Sequence, residues 1–377
     1  MGKGAALSDV TALRKRQWVS IPGGSCDVRL GTSVLDEASS VLKGCVGSPR
    51  AAALLAQDGV DADACELMRR QLTDAGFAVT QAVVPFEGQA RMPEACADTF
   101  SQLASAGITS DDVVVAMGGV DALSMASYVC AQWCGGVALV MVPTSLTAFV
   151  EAPVTPRGID VVGRPMMLSL KPWVKQVLFD VDLAMPHELC EDVLMARVHM
   201  VVTAMCDSES TFSHLWDRTE GICAFDPELT CEQLQDTIKT RGKTLSSTAL
   251  ALRQSLAYGE AFARALQSLL GAEVAPSVAR AEALRFQARL AAGEGMFEVD
   301  DVLAQDELLG RLEVPVLTAH VDPNELMAAL RAERFLRTNR FLLGLPRKLG
   351  RVRLASVTDE LIAEHVAAWC ASRAAAN

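Results

Sequence analysis

Ser110-Asp-Asp-Val-Val-Val-Ala-Met-Gly-Gly119 is a β-branched run that ends in paired glycines and leads into the helical pattern Leu123 to Cys134. It reads as a buried strand turning tightly into a helix, the place where open α/β sheets bind ligands at the carboxyl ends of their strands. Upstream, the run Ala51-Ala-Ala-Leu-Leu55 is followed by a helical pattern from Ala64 to Ala75, then by Phe77 to Pro85 and Met92 to Ala106. Downstream, Gly135-Gly136 precedes Val137-Ala-Leu-Val-Met-Val142, and a last strand pattern, Val174 to Val181, closes the half. This alternation is the signature of βαβ units and of a parallel sheet covered on both faces.

Beyond Pro186 the period changes to 3.6, over Glu188 to Cys206, Cys231 to Thr240, Thr248 to Gly271, Ser277 to Leu290, Asp300 to Leu312, Pro323 to Arg331 and Thr358 to Ala374. The second half is therefore expected to be helical. A length of 377 residues suits two domains of roughly 150 residues or more.

Half the residues are hydrophobic and 21% are charged, which excludes a disordered chain. With 34 basic and 46 acidic side chains the net charge is -12, so the electrostatic footprint of a nucleic-acid binder is missing. Met1 to Ser20 carries Lys3, Asp9, Arg14, Lys15 and Arg16 without an apolar centre. It does not read as a secretory signal, and a cytoplasmic chain is expected. The eleven Cys form no Cys-x-x-Cys pair and read as reduced, buried small hydrophobes. Ala122 to Val150 holds no charge, yet Gly135-Gly136 and Pro143 divide it into a helix and a strand, so no membrane span is expected.

Four pieces occur in a telling order. Val142-Pro-Thr-Ser-Leu146 follows a buried strand and Arg157-Gly-Ile-Asp160 follows a loop. Met185-Pro186 with Glu188-Leu189 opens the first long helix, and Tyr258-Gly-Glu-Ala261 sits within a later one. The arrangement resembles 3-dehydroquinate synthase and its sugar-phosphate cyclase relatives. The likeness runs from Asp27-Val-Arg-Leu-Gly31 to Arg347-Lys-Leu-Gly350 and is strongest between Val113 and Glu188. It implies a Rossmann-like α/β domain for NAD over 1–182, an all-helical domain for a catalytic zinc or cobalt ion over 183–377, and a substrate cleft between them. It also implies a homodimer, and a shikimate-pathway lyase reaction: a seven-carbon keto acid phosphate becomes dehydroquinate through transient oxidation, phosphate elimination, reduction and ring closure.

The family holds its metal with one Glu and two His, the ion polarising the hydroxyl that is oxidised. Matched to the family, Leu194-Met195-Ala196-Arg197-Val198 puts Met195 at the Glu and Val198 at a Lys of the catalytic region. Leu245-Ser-Ser-Thr-Ala-Leu250 puts Ala249 at the first His, and Tyr258 stands at the second. His187, His199, His214, His320 and His365 are all the histidines, and none lies between His214 and His320, where both ligands belong. Glu191, Asp192 and His199 share a helix but make an incomplete set, and acids at a helix start are favoured by the macrodipole alone. No metal is expected.

The family's Gly-Gly-Gly-x-x-Gly-Asp cofactor turn keeps only Gly118 and Gly119, with Val120, Leu123 and Ser124 at the later positions. A slip of one residue brings in Asp121. The upstream Thr-Asp-x-Asn-Val reads Ala56-Gln57-Asp58-Gly59-Val60. Val120 resists the positive φ that a glycine accepts, so loss of NAD is expected; Gly118, Gly119 and Thr144 are the positions that meet the cofactor if it is retained.

Cations persist where the family binds anions. Arg157 and Asp160 match its Gly-Lys-Thr-Gly-Ile-Asn loop, Gly163-Arg164-Pro165 matches Gly-Lys-Asn, and Arg253 matches another His. Lys243 is near in sequence, Arg334 falls at an Asp-Lys-Lys, and Glu151 replaces the Asp of Val-Asp-Ser-Ser. Two readings stand side by side: these cations converge on a small anionic or phosphorylated ligand, or each is a surface arginine paired with an acid. The expectation for the whole chain is a repurposed anion-binding paralogue without metal-dependent redox chemistry. The alternatives are an active synthase with a rearranged site and a non-catalytic partner, as homodimer or with an active paralogue.

Overall fold

The computed structural model describes residues 13–85, 88–162 and 164–374. Strands β1 (Arg14–Ile21) and β2 (Gly24–Gly31) form an antiparallel hairpin. Then follow α1 (Ala38–Lys43), β3 (Ala51–Gln57), α2 (Ala62–Asp74), β4 (Ala78–Val84), α3 (Pro93–Ser105), β5 (Val113–Gly118) and α4 (Val120–Gln132). The half ends with β6 (Ala138–Pro143), α5 (Leu146–Glu151), the small hairpin β7 (Ile159–Val161) and β8 (Arg164–Leu168), β9 (Gln176–Asp180) and α6 (Val181–Ala184).

One seven-stranded sheet results, in the order β1-β2-β9-β6-β5-β3-β4, parallel except for the β1–β2 pair. Its central strands are buried on both faces because period 2 sends alternate side chains into separate cores. On β5, Val114 and Ala116 join the core shared with the helical half, and Val113, Val115 and Met117 join the core under α1 and α2.

The second half comprises α7 (Glu191–Asp207), α8 (Glu209–Cys223), α9 (Pro227–Leu245), α10 (Leu250–Arg253), α11 (Glu260–Leu270) and α12 (Pro276–Gly293). It ends with α13 (Val299–Arg311), α14 (Pro323–Phe335), a hairpin of β10 (Leu343–Lys348) and β11 (Arg351–Ala355), and α15 (Asp359–Ala374). Helix α12 is buried on almost every face, and Phe286 on it stacks on Phe262 of α11 with ring centroids 4.0 Å apart. No helix among the described residues is long and apolar enough to cross a membrane.

In the second half the periodicity misses three features. Helix α8 was not expected, and neither was the β10–β11 hairpin in a half read as all helical. The pattern from Thr248 to Gly271 is not one helix: it breaks at Gly259, whose φ of +84° starts α11 afresh. There a Cβ would lie 3.0 Å from Leu284 Cδ2, so close packing on α12 and the left-handed conformation both call for glycine. The cysteines are all free thiols, but Cys190 and Cys223 are only half-buried and Cys134, on a turn with φ of 50°, is exposed.

Helix α9 crosses the edge hairpin and covers β1. Lys15 Nζ meets Glu232 Oε1 at 2.8 Å, and Gln17 Nε2 donates to Gln235 O at 2.9 Å. The contact closes at Gly242, where a Cβ would stand 2.3 Å from Ser20 O and 2.7 Å from Val19 Cγ1. Helix propensity alone favours alanine over glycine in a helix interior by about 1 kcal/mol. Packing reverses the sign here: Gly242→Ala is expected to destabilise the protein by about 1–3 kcal/mol in urea unfolding, as overpacking does.

Candidate functional site

The carboxyl ends of β3, β5 and β6, together with the starts of α7 and α12, enclose a cleft of about 680 Å³. Gln57, Gly119, Thr144, Arg157, Met195 and Pro276 are among its lining residues. A larger hollow of about 1290 Å³, walled by Lys171, Trp173 and Lys175, lies at the amino ends of the strands. That is the opposite end of the sheet from the charged groups described below, and open α/β sheets place their ligands at the carboxyl end.

Gly118 makes the turn with a φ of +156°, and Thr144 N donates to its carbonyl at 3.1 Å. Val120 begins α4 and is not among the residues with positive φ, so the turn needs its special conformation only at Gly118. The objection to Val120 on backbone grounds therefore falls. What fills the turn is Gln57, whose Oε1 accepts from Gly119 N at 2.6 Å. Asp121 is 2% exposed. It accepts from Gly88 N at 2.8 Å and meets Arg91 Nε at 2.8 Å and Arg157 Nη1 at 3.1 Å, so it faces protein rather than the cleft.

The positions matched to metal ligands hold no matching donors. Met195 lines the cleft beside Glu191 and Asp192. Both acids are engaged as helix caps: Glu191 accepts from Ser277 N and Oγ at 2.7 and 2.6 Å, and Asp192 accepts from Leu146 N and Thr147 N at 2.8 and 3.0 Å. Ala249 is an exposed residue at the start of α10. Tyr258 is buried in the core, its hydroxyl within 3.1 Å of Leu284 O and 2.8 Å of Gln305 Oε1. No group of three or more His, Cys, Asp or Glu is placed to hold a metal among the described residues. These residues do not fit a divalent ion.

The cations named from the sequence are not brought together. Arg157 does reach the seam between the halves, but it makes a two-pronged bond to Glu151, Nε to Oε1 and Nη2 to Oε2, both 3.0 Å. Asp160 is tied to Arg91 and to Met166 N. Lys243 is 75% exposed and meets Asp207 at 3.2 Å. Arg253 is exposed and donates to Ser247 O at 3.3 Å. Arg164 is exposed on β8, and its neighbour Gly163 lies outside the described residues.

A different set converges. His199 Nε2 lies 3.3 Å from Glu151 Oε2, the oxygen that Arg157 Nη2 also meets. Arg241, 3% exposed, donates to Thr155 Oγ1 at 2.8 Å and to Thr203 Oγ1 at 3.4 Å. Both hydroxyls give their own protons to carbonyls one turn back, Glu151 O and His199 O, and so turn lone pairs toward the guanidinium. Arg280, 9% exposed, donates to Leu256 O, and Glu260 is its nearest acid at 3.8 Å. Burial would raise the Glu151 carboxyl, but Arg157 and His199 outweigh it and hold the pKa well below the ordinary range. Burial lowers the His199 pKa, with Arg241 and Arg280 adding to the effect against Glu151. Burial likewise lowers Arg241 and Arg280.

Arg241 carried a signal in the sequence: it shares the apolar face of α9 with Leu234, Ile238 and Leu245, where a solvated arginine has no place. Arg280 and Gln57 carried none.

The 3-dehydroquinate synthase N-terminal family matches residues 81–179. A 3-dehydroquinate synthase of Corynebacterium jeikeium is 23% identical over 314 residues, 80% of this chain and 82% of that one. Among solved structures, 2-deoxy-scyllo-inosose synthase complexed with carbaglucose-6-phosphate, NAD+ and Co2+ superposes with a TM-score of 0.81 at 15% identity, covering 93% of this chain and 99% of that one. The 2-epi-5-epi-valiolone synthase of Streptomyces hygroscopicus subsp. jinggangensis, with NAD+ and Zn2+ bound, gives 0.78 at 16% identity, covering 94% and 99%. Family match, curated relatives and fold point the same way: the chain is similar to 3-dehydroquinate synthases and has the fold of the sugar-phosphate cyclases.

Proposed function

We propose that this 3-dehydroquinate synthase-like protein binds a small phosphorylated or carboxylate anion at the seam between its halves, without the metal-dependent redox chemistry of the family. The observation that carries this reading is Arg241: a guanidinium 3% exposed, with only hydroxyl partners and no carboxylate within 4 Å among the described residues. A buried charge without a counter-charge costs several kcal/mol, and a bound anion removes that cost. Arg280 adds a second buried guanidinium whose Nε has no hydrogen-bond partner. A hexose phosphate is the natural probe, since a neighbour of the same fold is complexed with carbaglucose-6-phosphate. Eleven free thiols suit a reducing compartment, which we take to be the cytoplasm. Pairing with a second copy or with an active paralogue belongs to the same reading, in which this chain supports a catalyst.

Three measurements test it. Inorganic phosphate and glucose 6-phosphate titrated into the protein by calorimetry should bind, and Arg241→Gln should lose at least about tenfold in affinity, the equivalent of about 1.4 kcal/mol. Equal affinity in the two proteins removes Arg241 from the site. Purified protein should hold no stoichiometric zinc or cobalt; one ion per chain, displaced by a chelator, refutes the loss of the metal. The third measurement is pH dependence. The folded pKa of His199 lies below its unfolded value, so between the two the unfolded chain binds more protons and stability falls as the pH falls below about 6.5. Glu151, held low, keeps its contribution through that window. The wild type should therefore lose up to about 1.4 kcal/mol per pH unit from this group, and His199→Gln should abolish that slope.

A further inference from the structure

Three of the helices that start at the cleft, α2, α5 and α12, have first-turn amides engaged by a side chain of the protein, and at α4 the amide just before the helix, that of Gly119, is covered. At α2, Asp61 Oδ1 accepts from Ala64 N at 2.8 Å; at α4, Gln57 Oε1 accepts from Gly119 N at 2.6 Å. At α5, Asp192 accepts from Leu146 N and Thr147 N, and Ser145 Oγ accepts from Ala148 N at 3.1 Å. At α12, Glu191 accepts from Ser277 N at 2.7 Å. A dinucleotide pyrophosphate is received by the opposite arrangement, uncapped amides at a helix start approached across a bare glycine turn. Here Gln57 covers that turn so closely that a Cβ on Gly118 would lie 2.6 Å from its Oε1. The lining adds Asp58, Asp61, Glu191 and Asp192 against Arg157, which Glu151 already holds.

We propose that this cleft is closed to phosphate-bearing dinucleotides, that the part of any ligand entering it carries no phosphate, and that Gln57 is the residue that sets the exclusion. The carboxamide plays the part of an internal anion: it supplies the acceptor oxygen that a pyrophosphate would bring, without the charge. The inference rests on Gln57 and the engaged helix starts and not on Arg241 or Arg280, neither of which lines this cleft, so either conclusion can fail alone.

The test uses the full chain in phosphate buffer, which keeps the arginine cluster occupied, with NADH as the probe followed by its fluorescence and by melting temperature. The wild type should show no saturable binding up to about 1 mM, a free energy of about -4 kcal/mol. Gln57→Gly should bind NADH and rise in melting temperature with its concentration, as a ligand selective for the native state requires. Gln57→Glu, which keeps an acceptor at the turn, should stay inert. Saturable NADH binding by the wild type overturns the exclusion. A Gln57→Gly protein as inert as the wild type, or a Gln57→Glu protein that binds, overturns the role of Gln57.

Discussion

Asp192 sets the register between the two halves. Its carboxylate receives Leu146 N and Thr147 N while its own carbonyl accepts from Thr147 Oγ1, so the first turn of α7 is fastened to the first turn of α5. A carboxylate bonded to amides at a helix start is favoured both by the charge-assisted bonds and by the dipole. Because the two helices then run side by side, the next contact falls two turns further along α7, where His199 meets Glu151 at the end of α5. The charge cluster at the seam is thus a consequence of a cap some ten ångströms away.

Within that cluster the choice of arginine matters. The planar fork of Arg157 satisfies both oxygens of Glu151 at 3.0 Å and still reaches Asp121, which a lysine, a single point of charge, does not do. Both Glu151 oxygens are taken by Arg157 and one of them is shared with His199, so Arg241 feels that carboxylate only at a distance, as the charge that partly offsets its burial. The asymmetry is local, since the protein as a whole is acidic at -12.

The fold was legible because its sheet is written in uninterrupted apolar runs such as Val113-Val-Val-Ala-Met117, which only a strand buried on both faces needs. Helix α8 escaped notice because its buried positions, Phe212, Leu215, Thr219 and Ile222, are outnumbered by polar ones. The site was legible only in part. Arg157, Glu151 and Asp160 could be named from their loop, but Lys243 and Arg253 lie on exposed turns of helix, and sequence proximity says nothing about which face of α9 or α10 points inward. Gln57 was beyond reach, because its role depends on the distance between two strand ends and not on any local pattern.

The edge hairpin divides its allegiance. By chain order β1 and β2 belong with the sheet, yet Lys15, Gln17 and the Ser20 carbonyl are held by α9, more than two hundred residues away in sequence. An uncovered edge strand is a template for pairing with other chains. The helical half therefore acts as a guard on the sheet, and a chain cut near residue 182 leaves behind a sheet with a sticky flank. The two halves can be drawn as separate domains, but as folding units they share one boundary, and neither is complete without the other.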